Sequence, residues 1–280
     1  MIMNNFHDSS IHHFTDVTLK VRSLERSLQF YHGLLGLLVT TITDKERWLS
    51  ADGKTPLIHL IEDKSVVAET RHLGLYHFAL LLPSRLTLAQ LLLRFNERKY
   101  PLSGASNHGV SEAIYLSDPD GNGLEIYIDR DKSEWPVRNG NIDMVSLPLD
   151  ITDIMCVIKD APSAGLPQDT RLGHLHLHVA SLSTAKHFYQ DVLGFQLTLN
   201  YGSSALFFGA GGYHHHIGVN TWMPSTRPRR DNEVGLVAYG LSVPDKTALK
   251  NSLNHHKIAF HELDGEILFK DFLNQMVIVR

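Results

Sequence analysis

The chain contains 280 residues, of which 43% are apolar and 20% are charged, a composition typical of a globular protein with one large or two ordinary domains. A net charge of −4 and the lack of a strong basic patch argue against a nucleic-acid-binding protein. The single cysteine, Cys156, excludes an internal disulfide framework, and neither a signal peptide nor a run of about 18 apolar residues is recognisable. We therefore predict a cytoplasmic protein that does not bind membranes.

The first predicted unit spans residues 14–65. Its opening strand covers residues 17–21, where polar and apolar side chains alternate, and Ser23 is placed to cap a helix over residues 24–35. Gly36 follows as a stop signal. Two further strands are predicted before the unit ends.

The second predicted unit spans residues 75–130 and ends in a hairpin. Residues 118–123, Asp-Pro-Asp-Gly-Asn-Gly, combine the Asx, proline and glycine residues that a tight turn requires. In the strand after the turn, Glu125 points to the face opposite Leu124 and Ile126. Because an isolated buried carboxylate is costly, Glu125 is either paired, bound to a metal or exposed at an edge.

The same pattern recurs in the second half of the chain. Residues 179–194 repeat residues 21–36, with Val, Ser, Leu, Phe, Tyr, Leu and Gly at matching places. Such internal similarity indicates duplicated supersecondary units. We predict one pair of units in residues 1–130, a linker over residues 131–171 and a second pair in residues 172–280. The four strand–helix–strand–strand–strand units cover residues 14–65, 75–130, 172–225 and 234–280.

These motifs resemble those of the vicinal-oxygen-chelate superfamily, which includes glyoxalase I, bleomycin-resistance proteins and type I extradiol dioxygenases. The Ser-Leu…Phe-Tyr…Leu-Gly helix and the Asp-Pro-Asp-Gly-Asn-Gly-Leu-Glu segment carry the resemblance, which covers almost the whole chain. Proteins of the catechol 2,3-dioxygenase type are the most similar two-domain members. The resemblance implies an α+β fold, in which four βαβββ modules form two cupped mixed β-sheets with flanking helices and a divalent metal inside a cup.

The resemblance implies that metal ligands come from the first and last strands of a unit. The matching positions are His77 at the start of unit two, Glu125 at its end and His174 at the start of unit three. His176 and His178 lie on the same strand face as His174 and are alternatives to it. Two imidazoles and one carboxylate with open positions are typical of non-haem Fe(II) sites that use O₂, so Fe(II) is the expected metal, with Mn, Zn, Ni or Co as alternatives.

The outer units lack these ligands. Unit one offers only Asp16, and unit four offers Ala238 and a position near Ile278, which cannot bind a metal. We therefore predict that units two and three share one metal-binding cup and that units one and four form a structural cup. This arrangement requires the imidazoles of His77 and His174 to lie within about 5 Å of each other, given metal–nitrogen bonds of about 2.1 Å.

The resemblance also implies an acid–base histidine in unit three, where three histidines stand in a row. His216 fits the family motif and is the predicted acid–base residue, with His215 as the alternative. Tyr115 and His108 resemble the catalytic tyrosine and the outer histidine of the extradiol pocket. A glyoxalase would instead carry a Glu ligand in unit three, and residues 201–232 contain none.

The predicted function is that of an extradiol ring-cleaving dioxygenase, which acts on a small aromatic diol with O₂. The metal would bind both oxygens of a catechol and bring it next to O₂, while His216 moves the hydroxyl proton. One alternative is a metal-dependent lyase or isomerase of glyoxalase type, and another is a drug-sequestering protein without catalysis. The expected partners are small molecules, and a homo-oligomer is compatible with this prediction.

Overall fold

The computed structural model of the protein describes residues 6–138, 140–158 and 165–280. Asn139 and Pro162, which belong to the predicted linker, lie outside the described residues. The strands of the first half are β1 His13–Val21, β2 Leu38–Thr43, β3 Glu46–Ser50, β4 Pro56–Glu62, β5 Gly74–Leu81, β6 Gly104–Asn107, β7 Ser111–Ser117 and β8 Gly123–Asp129. The remaining strands are β9 Val137–Arg138, β10 Asn141–Ile142, β11 Leu147–Pro148, β12 Arg171–His178, β13 Gln196–Tyr201, β14 Ala205–Gly209, β15 Ile217–Asn220, β16 Gly235–Ser242, β17 Phe260–Leu263, β18 Glu266–Lys270 and β19 Met276–Val279.

The helices are α1 Leu24–Leu28 with a π-helical continuation over Gln29–Leu34, α2 Arg85–Glu97, α3 Ile151–Met155, α4 Leu182–Lys186 with a π-helical continuation over His187–Val192, and α5 Lys246–His255, besides a 3₁₀ turn at Lys132–Glu134. The repeat seen in the sequence is therefore also a repeat of backbone geometry. Ser23 and Ser181 cap the two matching helices, and Gly36 and Gly194 end them with φ of 82° and 79°. In the described part of the chain, no helix is both long and apolar enough to cross a membrane.

Two large mixed sheets contain the four units. One sheet has nine strands in the order β11-β6-β7-β8-β5-β12-β15-β14-β13 and is built mainly from units two and three, so we call it the 2–3 sheet. The other has eight strands in the order β17-β18-β19-β16-β1-β4-β3-β2 and comes from units four and one, so we call it the 1–4 sheet. The predicted α+β fold of four βαβββ modules is confirmed, and the middle units share a sheet.

Each sheet is centred on the first strands of its two units. In the 2–3 sheet, β5 and β12 pair antiparallel, and each also pairs in parallel with the last strand of its own unit. In the 1–4 sheet, β1 and β16 pair in the same way. The predicted linker adds β11, which pairs with β6 at one edge of the 2–3 sheet. The division of the chain at residues 131–171 stays a prediction, since each sheet draws its strands from both halves.

Apolar and polar faces of the strands separate as the sequence pattern indicates. Leu124 and Ile126 belong to one continuous hydrophobic core, to which all four units contribute. Glu125 lies between them in the chain and is buried on the opposite face, as strand alternation requires. The core thus fixes which face of β8 carries the carboxylate.

The turn that precedes Glu125 is anchored by Asp118. Its Oδ1 accepts hydrogen bonds from the backbone N–H groups of Asp120 and Asn122 at 2.9 and 2.8 Å. The hydroxyl of Tyr31, from the helix of unit one, donates to Oδ2 at 2.9 Å. Burial raises the pKa of the Asp118 carboxyl. These bonds connect the β7–β8 hairpin to the helix of unit one and thereby hold the start of β8 in place.

Candidate metal centre

Three neighbouring strands of the 2–3 sheet carry the predicted ligands. His77 lies on β5, Glu125 on β8 and His174 on β12, and β5 is the middle strand of the three. Ala79 pairs with Glu125 on one side and with His174 on the other, so these two residues lie in one row across the sheet. His77 precedes Ala79 by two residues and shares its face, because side chains alternate along a strand. The sheet register alone therefore brings the three side chains together.

The donor atoms of the three residues converge. Oε2 of Glu125 lies 3.0 Å from Nε2 of His77 and 3.3 Å from Nε2 of His174. Two ligands at right angles around a metal, with bonds of about 2.1 Å, are separated by about 3 Å. All donor atoms of the group lie within 4.8 Å of one another, and the imidazole centroids of the two histidines are 5.5 Å apart. The limit of about 5 Å applies to the donor atoms, which meet it, whereas the ring centroids lie further back. The spacing therefore fits a shared metal ion.

The orientation of His77 points to the same conclusion. Its Nε2 is buried and makes no hydrogen bond, although it is close to the carboxylate. A buried polar nitrogen without a partner is costly. Two ligand atoms that lie close together without forming a hydrogen bond are expected where both point at the same metal ion. The geometry and the donor set therefore fit a divalent cation held by His77, Glu125 and His174.

The electrostatics of the group suit metal ligation. Burial would raise the pKa of Glu125, but the imidazoles of His174 and His77 outweigh it and hold the pKa well below the usual value. Burial lowers the pKa of His174, so its imidazole is neutral and has a lone pair. A metal binds the ionised carboxylate and the neutral imidazole. Both groups are thus in their ligating form near neutral pH.

His176 and His178, the alternatives to His174, are engaged elsewhere. Asn220 lies between them: Nδ1–H of His178 donates to its Oδ1 at 2.7 Å, and its Nδ2–H donates to Nε2 of His176 at 3.0 Å. The backbone N–H of Trp222 also donates to Oδ1 at 3.0 Å, which fixes the orientation of the amide. The structure therefore separates His174, at the carboxylate, from the other two histidines of the same face.

The three donors open into a cavity of about 650 Å³. Tyr115 and His108 line it, as the sequence predicts, and Nε2 of His108 lies 2.6 Å from the hydroxyl oxygen of Tyr115. Nδ1 of His108 is 2.7 Å from the carbonyl oxygen of Val145 and must donate to it, so Nε2 is an acceptor and the tyrosine hydroxyl donates. Burial, together with the nearby Glu125, raises the pKa of Tyr115 and keeps its hydroxyl protonated.

His216, the predicted acid–base residue, lies away from the cavity. Its Nδ1 accepts a hydrogen bond from the backbone N–H of Ala210 at 3.2 Å, and its Nε2–H donates to the carbonyl of Phe6 at 2.9 Å. The ring packs 5.0 Å from His7 and does not line the cavity. Both ring nitrogens are thus engaged with backbone groups, and a catalytic role for His216 stays a prediction.

His215, the alternative, is the histidine that reaches the cavity. Its ring centroid lies 4.2 Å from that of His174, and it is one of the lining residues. Burial lowers its pKa well below the usual value, so the imidazole is neutral. His215 and His216 point in different directions because neighbouring side chains of an extended segment lie on opposite faces.

Sequence reasoning missed two residues next to this histidine. Nδ1 of His214 lies 2.8 Å from Nδ1 of His215, and Nε2 of His214 lies 2.8 Å from Oδ1 of Asp129. Asp129 is four residues after Glu125 on the same strand and so shares its face. This spacing could have been read from the sequence, because a carboxylate an even number of residues after Glu125 on the same strand lies on the same face as Glu125.

Comparison with known proteins adds to this geometry. The model of the glyoxalase/bleomycin resistance protein/dioxygenase superfamily matches residues 10–126 and 171–265. A protein of Bacillus subtilis (strain 168) named catechol-2,3-dioxygenase is 44% identical over 274 residues, which are 94% of this chain and 96% of that protein.

Solved structures show the same fold at low identity. Glyoxalase I from Zea mays has a TM-score of 0.57 at 14% identity, over 96% of this chain and 92% of that chain. The cppA protein from Streptococcus pneumoniae TIGR4 has a TM-score of 0.55 at 11% identity, over 97% of this chain and 99% of that chain. The arrangement of two cupped sheets is thus common to proteins with different names.

Proposed function

The chain belongs to the glyoxalase/bleomycin resistance protein/dioxygenase superfamily, and within it we propose that the protein is an Fe(II)-dependent extradiol ring-cleaving dioxygenase. The observation that carries the proposal is the convergence of two imidazoles and one carboxylate at the floor of a cavity. Such a set leaves several coordination positions open and is typical of non-haem Fe(II) enzymes that use O₂. The name of the relative that is 44% identical supports the same reaction class.

The roles of the ligands follow from their positions. His77, Glu125 and His174 would hold the metal on one side, which leaves the opposite side to the cavity. When bound, the metal would lower the pKa of the catechol hydroxyls and bring the diol and O₂ together. The buried carboxylate supplies one negative charge, and the sheet fixes all three side chains before substrate arrives.

His215 would move the substrate proton. Its imidazole is neutral and next to His174, so a catechol held at the metal centre lies within reach of its ring. A neutral imidazole is a general base and, once protonated, a general acid. We assign to His215 the removal of a hydroxyl proton from the substrate and its later return to the product.

Tyr115 and His108 would orient the diol. The hydroxyl proton of Tyr115 is directed to His108, so its oxygen is free to accept a hydrogen bond from a substrate hydroxyl. The carbonyl of Val145 holds His108 in the tautomer that this requires. The pair thus forms a fixed acceptor on the cavity wall, where the ring centroid of Tyr115 lies 5.7 Å from that of His77.

The cavity wall indicates an uncharged substrate. Among the described residues that line it there is no lysine or arginine, and Glu125 is the single carboxylate. A substrate with its own carboxylate would have to lose its hydration without gaining a cation, which is costly. The apolar part of the wall includes Leu199, Phe207 and Trp222. We propose a catechol with a neutral, largely apolar substituent.

The absence of a second acidic residue from this wall weighs against glyoxalase-type chemistry. A glyoxalase would need a further Glu ligand from unit three, and the cavity face of that unit carries histidines instead. Retention of a complete ligand set weighs against a binding protein without catalysis, since such a protein needs no metal donors.

The proposal is tested with Fe(II) protein reconstituted without oxygen. Catechols with neutral substituents are added, the solution is opened to air, and the coloured ring-fission product is followed by absorbance. We expect one metal per chain and steady turnover, with Glu125→Gln inactive and the exposed control Glu262→Gln unchanged. Bound metal without ring fission would favour a lyase or isomerase, and a chain that retains no metal would favour a binding protein.

A further inference from the structure

A chain of hydrogen bonds leads from the cavity to the end of β8. It runs from His215 through His214 to Asp129, with both steps at 2.8 Å. The side chain of His214 is fully buried, whereas that of Asp129 is 22% exposed. We propose that Asp129 acts through His214 to fix the tautomer of His215, so that Nε2 of His215 presents a lone pair to the substrate.

The direction of each bond follows from the number of protons available. A carboxylate only accepts, so Nε2 of His214 must carry the proton that it donates to Asp129. With one proton assigned to each ring, Nδ1 of His214 is the acceptor and Nδ1 of His215 is the donor across the 2.8 Å contact. A neutral His215 that is protonated at Nδ1 has its lone pair on Nε2, the ring nitrogen left for the cavity.

A second branch ends at the same carboxylate. The hydroxyl of Tyr213 donates to Asp129, at 3.0 Å from Oδ2 and 3.2 Å from Oδ1. Having one proton, Tyr213 must accept from the hydroxyl of Tyr127, which is 2.7 Å away. Asp129 thus receives two donors, which hold it in place as an acceptor for His214.

Gly173 leaves the space that the hydroxyl of Tyr127 needs in this branch. A Cβ atom at Gly173 would lie 2.0 Å from the hydroxyl oxygen of Tyr127, so any other residue there would displace the phenol. Gly173 directly precedes His174, in a strand that otherwise alternates bulky side chains. The glycine is therefore required for the hydrogen-bond chain rather than for a turn.

This inference rests on the proposed function, in which His215 takes a proton from the substrate at Nε2. The contact of His215 with His214 and that of His214 with Asp129 hold the ring in the orientation and tautomer that this step requires. Asp129 and His214 are thus positioning residues, since neither lines the cavity.

The tautomer is measured directly on metal-free protein. Histidine side chains are labelled with ¹⁵N, the His215 signals are assigned with His215→Gln, and each nitrogen is identified as protonated or unprotonated from its shift and couplings. In the unsubstituted protein we expect Nδ1 of His215 to be protonated and Nε2 unprotonated. A protonated Nε2 there would overturn the proposal.

Asp129→Asn is the decisive variant. We expect the amide of Asp129→Asn to keep its oxygen towards the donating hydroxyl of Tyr213 and to place its N–H against Nε2 of His214. In that orientation His214 accepts at Nε2 and donates at Nδ1, which moves the His215 proton to Nε2. We expect that exchange in the spectrum, together with a fall in kcat of about 10²- to 10⁴-fold at unchanged KM and metal content, since a tautomer-setting carboxylate has an effect of this size. Asp129→Glu should restore both the tautomer and most of the rate.

Asp191→Asn is the matched control, because Asp191 also binds a histidine, His187, at 2.9 Å but on an exposed helix. It should change neither the His215 tautomer nor kcat. An unchanged His215 tautomer in Asp129→Asn, or an exchanged tautomer with full kcat, would refute the relay. Failure of the unsubstituted holoenzyme to cleave catechols, with the tautomer exchange still observed, would refute the proposed function and leave the assignment of Asp129 intact.

Discussion

The 2–3 sheet and the 1–4 sheet have the same strand order around their centres, but only the 2–3 sheet has a set of metal donors among the described residues. His174 and Asp16 both lie five residues before matching valines, Val179 and Val21. Glu125 pairs with Ala79, and Ile278 pairs with Gly240 at the equivalent place. The comparison shows that the same scaffold forms with and without the candidate ligands.

The 1–4 sheet compensates for its remaining acid with a cation from the chain itself. The guanidinium of Arg280 binds Asp16 and also reaches Glu266 at 3.1 Å. Burial raises the pKa of Asp16, and Arg280 opposes this effect. Gly240 leaves the space that the pair occupies, since a Cβ there would meet Asp16. The position of the 1–4 sheet that corresponds to the candidate metal centre is thus occupied by an internal ion pair.

Features that serve folding are kept in both sheets. Asp271 accepts backbone hydrogen bonds from Leu273 and Gln275, as Asp118 does in its own turn, and Tyr239 donates to it at 3.1 Å. Burial raises the pKa of Asp271 to about 7. The turn acids are therefore parts of the scaffold, whereas the ligand residues are parts of a site placed on it.

Removing one ligand should have the largest effect. His77→Ala is expected to lose the metal and to lower turnover by at least about 10³-fold, because the metal supplies several kcal/mol of barrier lowering. Metal content per chain and catechol cleavage are measured together. Asp16→Ala changes the 1–4 sheet and should keep both. If His77→Ala retained its full metal content, the proposal that the 2–3 sheet binds the metal through His77 would be wrong.

The two adjacent histidines of unit three should differ sharply. His215→Gln is expected to lower kcat by about 10²- to 10⁴-fold, the usual contribution of a general acid–base group. His216→Gln should change kcat by less than about threefold and cost about 1–2 kcal/mol of unfolding free energy through lost buried hydrogen bonds. Steady-state kinetics and urea denaturation of both variants measure these effects. A larger fall in kcat in His216→Gln than in His215→Gln would support His216 as the catalytic residue.

Acid should weaken the 2–3 sheet first. Burial lowers the pKa of five of its histidines, and also lowers the pKa of His7, which packs on this sheet, to about 4. The five are His174, His176, His178, His215 and His216.

Between the unfolded pKa of about 6.5 and the folded value of about 4, the unfolded chain binds the extra proton, so stability falls as the pH falls through this window. His7→Gln should reduce the loss between pH 7 and pH 4.5 by about 2–3 kcal/mol. Urea denaturation at both pH values measures this, with the exposed His187→Gln as a control. An equal loss in His7→Gln and the unsubstituted protein would show that His7 is not the source.

The ion pair of the 1–4 sheet should affect stability alone. Arg280→Met leaves the buried Asp16 without its cation and is expected to cost about 1–3 kcal/mol of unfolding free energy, less than for a fully buried pair because Arg280 is partly exposed. Turnover and metal content should stay unchanged. The double variant with Asp16→Asn should recover most of the lost stability, and a fall in metal content in either variant would show that the two sheets are coupled.

The sequence by itself determined the repeat, the turn and the face of β8 that carries Glu125. Apolar alternation placed Glu125 opposite Leu124, and the matching Ser, Phe-Tyr and Gly positions related unit three to unit one. Apolar residues stand at Ala238 and Ile278, the positions of unit four that match His77 and Glu125. They indicated that units two and three, rather than unit four, form the metal-binding cup. These inferences succeeded because strand faces, caps and turns are local consequences of residue type.

The tertiary structure alone decided which histidine reaches the cavity and what supports it. His215 and His216 differ by one position, and the contact of His216 with Phe6 spans 210 residues of sequence. The contact of His214 with Asp129 joins the segment before β15 to the end of β8, which come from different halves of the chain. Hydrogen bonds between distant segments depend on packing and register, which leave no periodic signal in the sequence, so only the folded chain shows them.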